Sequence, residues 1–185
     1  MTPRFATVVL CAALLLSAAP VGALPAFPID RPAPGFAATE WLNAGGPGQP
    51  AAPTAATLRG RVTLVEFWTF GCGNCRNVEP RVLAWRKKFG ARGLAVVGVH
   101  TPELSFERPR ANVARYVRDH GIDWPVALDV ESATWRRWNQ GAWPTMYLVD
   151  RRGIVRYVRI GEGAYERTEA MIERLLAEAG PSDPG

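Results

Sequence analysis

Residues 62–75 of this chain read VTLVEFWTFGCGNC. The first seven are mostly β-branched or aromatic and have the length of a buried strand, so they predict a strand over 62–68. The strand ends at small residues around two cysteines, Cys72 and Cys75. From Cys75 to Gly90 the apolar residues recur at helical spacing, at Val78, Val82, Trp85 and Phe89. The local pattern is therefore strand, cysteine turn and helix.

Further strands and helices are predicted on the C-terminal side of this unit. An apolar run over 94–99 predicts a second buried strand, and a helix is predicted from the end of a polar loop at Arg108 to about Gly121. This alternation of strand and helix predicts an α/β protein with parallel pairing in its sheet. The remaining predicted elements are a strand at 125–128, a short helix at 131–138, a hairpin of 145–150 and 154–159, and a last helix at about 165–179.

The composition is that of one soluble globular domain. The chain has 185 residues, of which 48% are apolar and 21% charged, which is enough for a single core. Its net charge is +5, but the arginines alternate with acidic and apolar residues, which argues against a nucleic-acid-binding protein. We expect four segments: a signal peptide over 1–23, a loosely structured lead-in over 24–56, a compact domain over 57–180 and a disordered tail over 181–185.

The N-terminus has the pattern of a secretory signal peptide. Arg4 precedes a 12-residue apolar run, and small or apolar residues stand three and one positions before a cleavage site that follows Ala23. The run is short for a membrane span, which needs about 20 apolar residues. We expect a periplasmic or secreted protein, with an uncleaved membrane anchor as the alternative. Cleavage would also remove Cys11 and leave two cysteines.

The remaining cysteine pair is the centre of the predicted chemistry. Cys72 would lie at the N-terminus of the helix, where free backbone N–H groups and the helix dipole favour a thiolate, so it is the predicted nucleophile. Cys75 is the predicted resolving thiol. Two other kinds of site stay open. A structural disulfide over so short a loop would stabilise little, and a zinc site could draw further ligands only from His100 and His120.

Glu66 is a carboxylate in the middle of an otherwise apolar strand. Burial there disfavours the ionised form, so we expect a raised pKa and proton exchange near neutral pH. The alternative is an edge strand from which Glu66 points to solvent.

These pieces together resemble the thioredoxin-fold family and, within it, the exported TlpA/ResA/DipZ-like thiol-disulfide oxidoreductases. The resemblance covers about residues 57–179 and is carried by VEFWTFGCGNC at 65–75, WPT at 143–145 and DRRG at 150–153. HTPE at 100–103, FE at 106–107 and GEG at 161–163 resemble the DipZ-like branch in particular. The resemblance implies a thioredoxin-like fold, in which helices flank a central mixed β-sheet and the CxxC pair stands at the N-terminus of the first core helix.

The resemblance also implies roles for single residues. Glu66 matches the buried acid of thioredoxins and would accept the proton of Cys75 during resolution. The Trp143–Pro144 peptide bond would be cis and lie opposite the cysteines, and the Trp143 backbone would pair with an extended segment of the substrate protein. Phe70 and Trp143 are candidates for an apolar rim that contacts this partner.

We therefore expect an exported thiol-disulfide oxidoreductase that exchanges its Cys72/Cys75 pair with the thiols or disulfides of substrate proteins and acts as a reductant. The dithiol itself carries two electrons, so we expect no cofactor and no metal. By resemblance, a membrane electron-transfer protein would re-reduce the pair. We also expect a monomer. Two alternatives stay open: a thiol peroxidase of the peroxiredoxin or glutathione-peroxidase type, and a non-catalytic binding module with a structural disulfide.

Overall fold

The computed structural model describes residues 26–178 of the chain. Its strands are β1 (Trp41–Leu42), β2 (Val62–Trp68), β3 (Leu94–His100), β4 (Val126–Leu128), β5 (Thr145–Val149) and β6 (Val155–Ile160). Its α-helices are α1 (Gly73–Phe89), α2 (Arg110–Asp119), α3 (Ala133–Arg137) and α4 (Tyr165–Ala177). Within the described range, no helix combines the length and the hydropathy that a membrane span requires.

The six strands form one mixed sheet in the order β1-β4-β3-β2-β5-β6. Strand β2 is central, because it pairs in parallel with β3 and antiparallel with β5. Glu66 lies in the middle of β2, opposite Gly98 on one side and Met146 on the other. The predicted mixed sheet is therefore confirmed, and the alternative of an edge strand for Glu66 is wrong.

A hydrophobic core covers each face of the sheet. Successive side chains of a strand point to opposite faces, and β2 is buried on both. Leu64 and Trp68 belong to the core under α1, α2 and α4, so Glu66 between them faces α1 as well. Val65 and Phe67 belong to the core on the other face, which is covered by α3 and by the segment that precedes β2.

The predicted elements are present with small shifts at their ends. Strand β2 has the predicted bounds, and α1 begins at Gly73, two residues before the predicted start. The short helix predicted over 131–138 is narrower, Ala133–Arg137, and the last helix ends at Ala177. The predicted signal peptide over 1–23 and the predicted tail over 181–185 lie outside the described residues.

The lead-in has little regular structure, but its described residues, from 26 onwards, are packed on the domain. β1 pairs with β4 at one edge of the sheet, and the backbone also bonds near the β5–β6 turn, from Asp30 to Val155 and from Ala33 to Gly153. The Phe36 ring packs against Trp138. The expectation of a loose segment is wrong on this point, because isolated aromatic residues between prolines and glycines anchor the chain without any periodic pattern.

Candidate active site

The two cysteines lie where the chain leaves β2 and begins α1. Cys72 is the N-cap of α1, and its Sγ accepts a hydrogen bond from the Cys75 N–H at 3.4 Å. Both thiols are free; Cys72 is partly exposed and Cys75 is buried. The first turn of α1 carries no acidic residue, so nothing there offsets the positive end of the helix dipole. A partner can reach the first sulfur, and the second lies beneath it.

Burial raises the pKa of the Cys75 thiol far above its ordinary value, and Cys72 and Glu66 add to this shift. One contact acts in the opposite direction, because the backbone N–H of Thr69 donates a hydrogen bond to the Cys75 sulfur and favours the thiolate. Cys75 therefore needs a nearby base to take its proton before it can act as a nucleophile.

Glu66 is 5% exposed, and its pKa is raised to about 8, mainly by burial and further by the charge of Glu79. The neighbouring backbone N–H groups are engaged in the ladders with β3 and β5, so they are not free to solvate a carboxylate. At neutral pH Glu66 is mostly protonated yet close to losing its proton. Its charge also acts on Cys75, so the arrangement suits proton exchange between the two groups.

Glu79 lies one turn after Cys75 on α1 and connects this helix to α2. It accepts a hydrogen bond from Tyr116 Oη at 2.8 Å, and its other oxygen lies 2.6 Å from His120 Nδ1. Because the charge of Glu79 raises the pKa of Glu66, this surface cluster is coupled to the buried acid. Neither Glu79 nor Tyr116 stands in a motif, so their part in this cluster was not predicted from the sequence.

Pro144 and Trp143 lie beside the cysteine turn. The Trp143–Pro144 peptide bond is cis, which is the conformation that the resemblance implies. Thr145 pairs with Phe67 near the end of β2, so Pro144 lies next to the point where the chain leaves β2. Within residues 26–178, the Trp143 main chain makes no backbone hydrogen bond. The Trp143 ring packs on Trp135 with centroids 4.2 Å apart.

Phe70 forms part of an aromatic surface next to Cys72. Its ring stacks on His100 and Tyr116, with centroid distances of 5.5 and 5.4 Å. Phe106 contacts the other side of Phe70 and is 50% exposed. Trp68, in contrast, is buried in the core. Phe106, which was noted only as part of a motif, therefore extends the aromatic surface around Phe70; the rim of Phe70 and Trp143 that contacts a partner stays a prediction.

Glu107 stands in one of the motifs that carry the resemblance, but its burial and its contacts were not predicted. It is fully buried, and its carboxylate contacts the segment between β2 and Cys72 through Thr69 and Gly71. Thr69 in turn lies 3.3 Å from His100 Nε2. A glutamate in a polar loop is ordinarily exposed, so only the fold of this loop over the cysteine turn reveals its burial.

The histidines considered for a zinc site are engaged elsewhere. His120 contacts Glu79 and His100 contacts Thr69, so neither joins the cysteine pair as a ligand. Among residues 26–178, no group of three or more His, Cys, Asp or Glu is placed to hold a metal ion.

Comparisons with known proteins agree with this geometry. The family model described as the AhpC/TSA family matches residues 29–158. Protein DipZ of Mycobacterium tuberculosis is 43% identical over 143 residues, which are 77% of this chain and 20% of DipZ. The chain thus spans about a fifth of the length of the DipZ proteins. Thiol-disulfide oxidoreductase YkuV of Bacillus subtilis is 28% identical over 63% of this chain and 78% of YkuV.

Solved structures show the same architecture. The crystal structure of a thioredoxin-like superfamily protein superposes with a TM-score of 0.72 at 25% identity and covers 81% of this chain and 99% of that protein. The solution structure of a thioredoxin-like protein in its oxidized form superposes with a TM-score of 0.65 at 27% identity, covering 78% of this chain and 92% of that one. The thioredoxin-like fold that the resemblance implied is confirmed.

Proposed function

The chain belongs to the AhpC/TSA family and is TlpA/ResA/DipZ-like within it, and from this premise we propose that it is a thiol-disulfide oxidoreductase acting on substrate proteins. One observation carries the proposal. A partly exposed thiol caps α1 above a buried thiol, and a buried carboxyl that titrates near neutral pH acts on the buried thiol.

The first step is attack on a substrate disulfide. The thiolate of Cys72, favoured by the N-terminus of α1, attacks one sulfur atom of the substrate. A bond forms between Cys72 and that sulfur, the substrate S–S bond breaks, and the other substrate sulfur leaves as a thiolate that takes a proton from solvent.

The second step resolves the mixed disulfide. Cys75 transfers its proton to the Glu66 carboxylate and attacks Cys72 Sγ. The Cys72–Cys75 bond forms, the mixed disulfide breaks, and Glu66 returns the proton to the leaving substrate thiolate. The dithiol loses two electrons and the substrate disulfide gains them. Only the ionised fraction of Glu66 can act as the base, so resolution becomes faster as the pH rises towards about 8.

Substrate contacts come from the residues around Cys72. Among residues 26–178 the Trp143 main chain has no backbone partner, so it could pair with an extended substrate segment, as the resemblance implies; this supports a binding role for Trp143 and Pro144. Phe70 and the exposed Phe106 would contact apolar side chains that flank the substrate cysteine.

We propose that the protein acts as a reductant. The strongly oxidising members of this fold class owe their potential to a stabilised reduced form. Here burial raises the pKa of the Cys75 thiol far above its ordinary value, so Cys72 is the one thiol of the pair that could contribute a stabilised thiolate. After each turnover the Cys72–Cys75 disulfide must be reduced again, and by resemblance the electron donor would be a membrane electron-transfer protein. The signal-peptide pattern over 1–23 supports an exported protein, periplasmic or secreted.

An equilibrium redox titration tests this proposal. The domain is equilibrated with defined thiol buffers, and the state of Cys72 and Cys75 is read by alkylation and mass. A potential near that of thioredoxin, about −270 mV, is expected, whereas a value near about −120 mV would identify an oxidant. The variant Cys75→Ser should accumulate a mixed disulfide with a protein substrate, and Cys72→Ser should accumulate none. Failure of Cys75→Ser to trap any substrate would favour the binding-module alternative.

A thiol peroxidase is the second candidate, because the matching family model is named for AhpC and TSA and the peroxidase chemistry also occurs on this scaffold. The closely spaced Cys72/Cys75 pair favours disulfide exchange instead. A peroxide-consumption assay with a defined thiol reductant separates the two, since turnover of peroxide that exceeds turnover of a protein disulfide would favour the peroxidase.

A further inference from the structure

Glu107 stands at the end of a 3₁₀ turn, Ser105–Glu107, that lies over the cysteine turn. Its Oε1 accepts hydrogen bonds from Thr69 Oγ1 at 2.5 Å and from the Gly71 N–H at 2.6 Å. Its Oε2 accepts from the N–H groups of Glu103 and Leu104, at 2.7 and 2.6 Å. Four donors thus surround one fully buried carboxylate.

These contacts require an ionised carboxylate. Backbone N–H groups can only donate, so a protonated oxygen would face donors and lose a hydrogen bond. Burial opposes the charge, but the four hydrogen bonds outweigh it, and the pKa of Glu107 lies below its ordinary value. The carboxylate is therefore a fixed negative charge that holds two segments of chain together.

Thr69 connects this carboxylate to both cysteines. Its hydroxyl donates to Glu107, so its oxygen accepts the hydrogen bond from His100 Nε2 at 3.3 Å. Its carbonyl accepts the Cys72 N–H at 3.3 Å, and its own N–H donates to the Cys75 sulfur. A change in the position of Thr69 therefore changes the surroundings of both thiols.

Gly71 allows the carboxylate to approach the main chain one residue before Cys72. A Cβ atom at this position would lie 2.3 Å from Glu107 Oε1 and 3.0 Å from its Cδ. The hydrogen bond to Glu107 is thus made by the Gly71 backbone, which has no alternative rotamer. The geometry of residues 69–72 is therefore coupled to that of the 103–107 loop.

We propose that Glu107 is a positioning residue for the thiol pair, which acts through Thr69 and Gly71 to hold the main chain that carries Cys72 at the N-terminus of α1. The inference rests on the proposed disulfide exchange and deepens it. Without this anchor, the main chain around Cys72 shifts, and the hydrogen bond from the Cys75 N–H to the Cys72 sulfur weakens. Resolution becomes slower, and because the reduced form loses stabilisation, the pair becomes more reducing.

The test uses two matched variants of Thr69. Thr69→Val keeps the shape and removes the hydroxyl, whereas Thr69→Ser keeps the hydroxyl and removes only a methyl group. A preformed mixed disulfide between Cys72 and a small thiol is resolved in a single turnover, and the pair is titrated in glutathione buffers. We expect Thr69→Val and Glu107→Gln to slow resolution about tenfold, because a hydrogen bond to a charged group is lost. Thr69→Ser should stay close to the wild-type rate.

The outcomes separate this inference from the proposed function. A purely structural role of Glu107 predicts lower melting temperatures but an unchanged potential and resolution rate in the folded variants, and that result would overturn the inference. If Glu107→Gln does not fold, the comparison of Thr69→Val with Thr69→Ser is sufficient to test the inference. Absence of exchange between the wild-type protein and protein disulfides would refute the proposed function, while the glutathione measurements would still report on the positioning of the thiols.

Discussion

Two buried glutamates lie on either side of the cysteine turn, and burial affects their ionisation in opposite ways. Glu66 is buried in the middle of β2, and its pKa is raised to about 8. Glu107 is buried at least as deeply in a loop, yet its pKa is lowered. Depth alone therefore does not decide the charge of a carboxyl in this protein.

The difference lies in the backbone around each acid. In β2 the N–H groups are committed to the ladders with β3 and β5, so the Glu66 carboxylate has no main-chain donors to stabilise it. Around Glu107 the chain turns, and N–H groups without ladder partners point at the carboxylate. Regular structure thus gives an acid that can exchange protons, and irregular structure gives one that holds its charge.

Removal of Glu107 should produce the largest change in stability. Glu107→Ala leaves four buried donors without their acceptor, so we expect unfolding free energy to fall by about 4 kcal/mol, given a cost of about 1–3 kcal/mol for each unpaired donor. Glu107→Gln should lose less, since one oxygen remains. Denaturant unfolding measures both; a loss below about 1 kcal/mol for Glu107→Ala would show that water replaces the carboxylate without cost.

Glu66 should make the free energy of unfolding decrease as the pH rises. Its pKa rises from 4.5, the ordinary value of a glutamate, to about 8 on folding, so the folded state holds the proton that the unfolded state releases between these values. The stability contribution is present below about pH 4.5 and is lost as the pH rises towards 8. Relative to wild type, Glu66→Gln should therefore gain about 3 kcal/mol between pH 4.5 and pH 7.

Denaturant titrations of wild type and Glu66→Gln over this pH range check the prediction, because all other titrations are shared by the two proteins. Glu79→Gln is the control: removal of its charge should lower the pKa of Glu66 in the folded protein, so the loss of stability should end at a lower pH and be smaller in total. Parallel curves for wild type and Glu66→Gln would show that Glu66 is ionised in the folded protein at neutral pH.

Glu66→Gln should also slow resolution of the mixed disulfide, and by a larger factor than Glu107→Gln. Glu66→Gln removes the proposed base, so we expect resolution of the mixed disulfide to slow by about 100-fold while attack by Cys72 is retained. In Glu66→Gln, the remaining rate of resolution should no longer increase as the pH rises towards about 8. Single-turnover kinetics with a preformed mixed disulfide report this step alone. If Glu66→Gln resolves the mixed disulfide at the wild-type rate, water and not Glu66 accepts the proton of Cys75.

The contrast between the two glutamates also explains what the sequence could predict. Strand β2 and the burial of Glu66 follow from an apolar run of strand length, in which a single acid must share the burial of its neighbours. The burial of Glu107 depends on contacts with residues 36 and 38 positions earlier, at Gly71 and Thr69. No local sequence pattern indicates contacts between residues so far apart. The packing of the lead-in could not be predicted for the same reason.

The smallest expected effect concerns the two glycines that flank Cys72. A Cβ at Gly71 would lie 2.3 Å from Glu107 Oε1, whereas a Cβ at Gly73 would have no atom of the described residues within 4 Å apart from its chain neighbours and the backbone of its own helix. Gly71→Ala must displace the carboxylate from its donors, and we expect a loss of about 2 kcal/mol together with slower resolution. Gly73→Ala, in the first turn of α1, should be neutral or slightly stabilising, because alanine favours the helix. Equal effects of both substitutions in denaturant unfolding would mean that the cysteine turn is sensitive to any added side chain, and that its contact with Glu107 has no special part in holding the thiols.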